Sequence, residues 1–166
     1  MPRTLVIGYG NIHRADDGVA HHIIGLLRKR LGQAPLGEND TGLDNLGAET
    51  DSISLTQLIP ELIDTLVDYD QIIFVDAHVR DDVPDLHHEM VSAEYVISAF
   101  THHMTPAMLL ALLKAIHHRE PAGHIMSIRG HDFDFHDSLS ASAQALVEPA
   151  VNQILRLVAS VQETQG

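Results

Sequence analysis

Two spacings of apolar residues alternate along this 166-residue chain. Short continuous runs with β-branched residues, "TLVIG" near the start and "QIIFVDAH" in the middle, have the pattern of strands buried on both faces. "HIMSI" predicts a last strand, and "HEMVSA", after the acidic loop "RDDVPD", a weaker one. Between these runs the apolar positions recur at helical spacing. Val19, Ile23, Leu26, Leu27 and Leu31 mark a first helix, with Asp16 or Asp17 placed to cap its start and Gly32 to end it. Leu58, Leu62, Ile63, Leu66 and Val67 mark a second, in which Pro60 comes early enough to be tolerated. In the third, Thr105 is a good N-cap and Pro106 suits the first helical position, with Leu109, Leu112, Leu113 and Ile116 as the buried stripe. The C-terminal positions Leu146, Val147, Ala150, Val151, Ile154, Val158 and Val161 predict a last helix, which Pro149 should kink or restart. Residues 33–50 have little periodicity and read as an irregular connection, followed by a short strand around Asp51 to Ser54.

Alternation of strand and helix implies an α/β fold, a mostly parallel twisted sheet with helices on both faces. No repeat and no linker divides the chain, so residues 1–166 are expected to form a single domain. Ligands of such sheets bind at the carboxyl ends of the strands. The loop after "TLVIG" and the residue ending "QIIFVDA" therefore fall on one edge, where Asp17 and Asp76 can converge although far apart in sequence.

Composition narrows the chemistry. The chain has no cysteine, which removes disulfides, thiolate metal sites and cysteine nucleophiles, so any metal must use His, Asp or Glu. A formal charge of -13 disfavours nucleic acid and anionic membranes as partners. No apolar stretch approaches the ~20 residues of a membrane span, and "MPRTLVIGYG" lacks the features of a signal peptide, so a cytoplasmic location is expected. Thirteen histidines are many for this length, and a number of them stand beside acidic residues.

The turn after the first strand, "GYGNIHRADDG", invites two readings. A dinucleotide site fails because the third glycine of G-x-G-x-x-G would fall on His13, and a phosphate would meet Asp16 and Asp17. A nucleophilic hydrolase has no G-x-S-x-G to support it. The other reading is metal-centred: Asp17 and Asp76 with one histidine from "THHMTP" would hold a divalent ion and leave positions open for substrate. Against it, Asp17 has the bland alternative of a helix cap and Asp76 that of a turn hydrogen bond.

Taken together, "LVIGYGNIHRADDGVA", "SLTQLIPELIDTL" followed by "QIIFVDAHV", "THHMTPAMLLAL" and "IRGHDFDFHDSLS" resemble the hydrogenase maturation endopeptidases, in order and across nearly the whole chain. The resemblance implies an endopeptidase that removes the C-terminal extension from the large-subunit precursor of a nickel-iron hydrogenase once nickel has been inserted. It carries the family's metal-contacting residues onto Asp17, Asp76 and His102, with His103 one register away. Nickel is then supplied by the substrate precursor, and no organic cofactor is implied. Asp16 receives no catalytic role. Two positions where the family often has glycine differ here, Ala15 before the acidic pair and His136 after "FDF".

Other classes predict other behaviour. A noncatalytic nickel carrier would use the pairs His21–His22, His87–His88 and His117–His118, otherwise expected to be solvated surface. A zinc hydrolase would keep a metal of its own.

Overall fold

The computed structural model describes residues 1–94 and 104–164. Among these, the strands β1 (Thr4–Tyr9), β2 (Thr50–Leu55), β3 (Gln71–His78), β4 (Leu86–Val91) and β5 (Ala122–Arg129) form one sheet in the order β2-β1-β3-β5-β4. β1, β2, β3 and β5 run parallel, and β4 closes one edge antiparallel to β5.

Strand alternation divides the core into two layers. Val6, Ile73, Val75, Met126 and Ile128 face helices α1 (Val19–Arg30) and α4 (Ala141–Thr164). Leu5, Ile7, Ile72 and Phe74 face the other side, covered by a 3₁₀ turn (Pro60–Leu62), the short α2 (Ile63–Leu66) and α3 (Pro106–His117). The continuous apolar runs of β1 and β3 follow from this burial on both faces.

Local chemistry explains most boundaries. Thr105 accepts a hydrogen bond from the Met108 N–H at 3.2 Å and Pro106 opens α3, as the sequence predicts. Gly32, at φ 70°, follows the end of α1 in the left-handed conformation that suits glycine. Several expectations need correction. Asp16 and Asp17 do not cap α1: they lie in a separate 3₁₀ turn, Ala15–Gly18, and Gly18 occupies the cap position. The second helix begins as a 3₁₀ turn and is only one turn of α-helix, so Leu58 lies ahead of it. In α3 the buried stripe is Leu109, Leu110, Ala111 and Leu113, whereas Ile116 is exposed. α4 runs through exposed Pro149 as one element without restarting. No helix among the described residues is long and apolar enough to cross a membrane.

Candidate active site

β2 and β3 lie on opposite sides of β1, so the chain leaves β1 toward one neighbour and returns on the other. The crevice of such a sheet opens at this reversal, beyond the carboxyl ends of the strands. Here it is a cleft of about 550 Å³ lined by Tyr9, Gly10, Asp17, Asp76 and Met104, with residues Thr56–Pro60 along one side. Asp17 and Asp76 are thus brought together as the topology predicts. His102 and His103 lie outside the described residues. Met104, two positions after His102 in sequence, contributes to the cleft wall.

Asp17 is delivered by backbone geometry. Gly10 has φ 143°, and a Cβ placed there would stand 2.1 Å from the Asp17 carbonyl oxygen, so only glycine allows this approach. The Asn11 N–H donates to Asp17 Oδ2 at 2.9 Å and fixes the carboxylate. His21 braces the same turn from α1. Its Nε2 donates to the Gly10 carbonyl at 2.8 Å, which leaves Nδ1 to accept from the Ser54 hydroxyl on β2.

Asp76 stands on β3 within reach of its own turn and of β1. It accepts from the Ala77 N–H at 2.7 Å and from the Tyr9 hydroxyl. Burial pushes its carboxyl up to about 6; these two hydrogen bonds oppose the rise and the Asp17 charge adds to it. Tyr9 is driven far above its ordinary value by burial and by the Asp76 carboxylate, and so remains a neutral donor. A cation placed between the carboxylates would relieve both their repulsion and the desolvation of Asp76.

Asp16, with no exposed surface, acts away from the cleft. Its carboxylate accepts from the N–H groups of His131, Asp132 and Ser140 and from the Ser140 hydroxyl, at 2.7 to 3.1 Å. Burial works to raise its pKa, but these bonds outweigh it and hold the carboxyl below the usual range. Ser140 Oγ in turn accepts from the Ala143 N–H at the start of α4. Asp16 therefore ties the closing segment to the turn that presents Asp17. Sequence reading left this role unassigned, because a buried anion clamp depends on partners more than a hundred positions away.

Ala15 and His136, far apart in sequence, meet in space. Ala15 has φ 48°, a left-handed conformation costing an L-residue roughly 1–2 kcal/mol. Its N–H donates to the His136 carbonyl at 2.7 Å, which holds the turn in place.

Several histidines expected on solvated surface are structural. Besides His21, His88 stacks on His124 with a 2.9 Å nitrogen contact, whereas His117 lies on the surface as expected, 3.1 Å from the exposed Asp64. Among the described residues no three His, Asp or Glu side chains gather in a metal-holding group.

Fold and site together define an α/β protein with a mostly parallel sheet and a two-carboxylate cleft at its strand-order reversal. Solved structures of the same fold include hydrogenase maturation proteases. The hydrogenase maturating endopeptidase HybD from E. coli superposes with a TM-score of 0.65 at 23% identity, over 98% of this chain and 93% of that one. The [NiFe] hydrogenase maturation protease HybD from Thermococcus kodakarensis gives 0.64 at 20% identity, over 94% and 99% of the two chains. HycI from the same organism gives 0.65 at 12% identity, over 95% and 92%. No protein-family model and no curated protein sequence matches the chain.

Proposed function

We propose that this chain is an endopeptidase of the hydrogenase maturation type, which removes the C-terminal extension of a nickel-loaded large-subunit precursor. Asp17, Asp76 and His102 contact the nickel that the substrate carries. The observation supporting this most directly is the pair of carboxylates in one cleft, with Asp76 pushed up to about 6. Two acids so placed repel each other at neutral pH, and a divalent cation supplies the missing charge. Asn11 holds the first carboxylate and Ala77 and Tyr9 the second, so the pair is oriented before substrate arrives.

The test is incubation with the nickel-loaded precursor encoded nearby in the same genome, followed by mass measurement. A single C-terminal truncation is expected, with none from nickel-free precursor. Asp17→Asn and Asp76→Asn should each abolish it while the protein stays folded. His102→Ala should eliminate cleavage and His103→Ala retain most of it; the opposite result would move the ligand to His103. Equal cutting of apo and loaded precursor would return the problem to conventional proteolysis.

A further inference from the structure

We infer that β4 is a self-pairing edge: two copies of this chain join antiparallel along it, His88 opposite His88, into one continuous sheet. This association does not depend on the chemistry of the cleft.

Among the described residues β4 has a strand beside it on one side only, since it pairs with β5 and ends the sheet. An open edge of this kind is a template for another strand, and β4 carries none of the lysine or proline residues that commonly blunt one. At the start of its ladder the Arg129 N–H donates to the Asp85 carbonyl at 2.8 Å, so the odd-numbered positions bond inward to β5. Leu86, His88 and Met90 therefore turn their N–H and C=O groups to the open side. Met90 also holds its side chain 76% exposed, on the face where Leu86 packs against the core.

A second copy is the occupant because β4 complements itself in one register. Pairing about a two-fold axis normal to the sheet sets each residue opposite one on the same face. With the axis at His88, His87 of each copy faces Glu89 of the other and Leu86 faces Met90, so acid meets imidazole on one face and apolar meets apolar on the other. His87 and Glu89 then fall in non-hydrogen-bonded pairs, where side chains approach most closely. Asp85, 3.8 Å from Arg129, faces Val91. Moving the axis by one residue fails on charge: at His87 it opposes Asp85 to Glu89, and at Glu89 it opposes that carboxylate to itself. β5 separates β4 from β3, so pairing leaves the cleft of Asp17 and Asp76 uncovered, and the antiparallel copies open their clefts at opposite ends of the joined sheet.

The test is sedimentation equilibrium of the full chain, with charge-exchange and cysteine variants. Wild type should approach the mass of two chains as concentration rises. Glu89→Lys and His87→Glu should each weaken association about tenfold, and combining them should recover it to within about threefold, since opposite charges again face each other. The chain has no cysteine, so a single one reports the register. Directly opposite residues in a hydrogen-bonded pair have Cα atoms about 5.5 Å apart, within disulfide range. Residues offset by four positions stand about 13 Å apart. Under mild oxidation His88→Cys should therefore cross-link about tenfold faster than Met90→Cys, whose position faces Leu86. Glu89 is exposed, so the charge variants decide the matter if loss of the His88–His124 contact unfolds His88→Cys. A wild type that stays monomeric at every concentration, association indifferent to Glu89→Lys, or faster cross-linking of Met90→Cys than of folded His88→Cys would overturn the pairing.

Discussion

Asp16 and Asp17 are adjacent and identical in chemistry, yet one is a buried clamp and the other lines the cleft. The difference lies in their partners. Asp16→Ala would strand three backbone N–H groups and a hydroxyl, and should destabilise the protein by about 3 kcal/mol or more, measured by denaturant unfolding. Because the folded protein holds the Asp16 carboxyl low, that contribution is complete above its ordinary value of 3.8 and is lost as pH falls through the lower folded value. The gap between variant and wild type should therefore narrow in strong acid. Asp76 has the opposite sign. Its carboxyl moves from 3.8 to about 6 on folding, so the folded state is favoured below 3.8 and that advantage disappears as pH rises through 6. The interval corresponds to at most roughly 3 kcal/mol. Asp76→Asn should therefore melt at a higher temperature than wild type at pH 7 to 8 and lose that advantage toward pH 4, even as cleavage is abolished. A lower melting temperature at neutral pH would show that hydrogen bonding to the carboxylate outweighs its desolvation.

At the scale of elements, α4 tolerates what its sequence argues against. Pro149 lacks an N–H, so it cannot bond the carbonyl four residues back, and its ring crowds that turn. Ala143, Val147, Ala150, Val151 and Ile154 bury their side chains in the core on either side of it, and this packing holds the helix together. Pro149 is itself exposed, so Pro149→Ala removes a helix defect without opening a cavity. Stability should rise by about 1–3 kcal/mol, read as an increase in denaturant midpoint at unchanged slope. A fall would mean that the bond freed at Pro149 is used elsewhere.

For the molecule as a whole, a net charge of -13 on a chain this size is self-repulsive, and the -13 counts His as neutral. Raising salt from about 10 mM to about 150 mM shortens the screening length from about 30 to about 8 Å. The melting temperature should rise over this range at neutral pH, before specific ion effects enter. A fall would indicate that the ion pairs Arg3–Asp51 and Arg30–Glu148, at 3.0 and 2.9 Å, matter more than the summed repulsion. The same negative field surrounds a cleft that holds two carboxylates, and it favours approach of a cationic centre.

By itself the sequence determined the class of the fold and the order of its main strands and helices. Short continuous apolar runs rich in β-branched residues point to strands buried on both sides, Thr105-Pro106 fixes a helix start, and the strand–helix alternation gives the parallel pairing of β1, β2, β3 and β5, while β4 runs antiparallel. It also singled out Asp17 and Asp76, because the carboxyl ends of parallel strands share an edge. Tertiary structure alone decided which aspartate is buried, since Asp16 differs from Asp17 through donors at positions 131 to 140. It likewise decided that His21 braces the Gly10 turn through Ser54, and that α4 passes through Pro149. Periodicity and spacing are local quantities, whereas burial and hydrogen-bond partners are set by what the rest of the chain brings alongside.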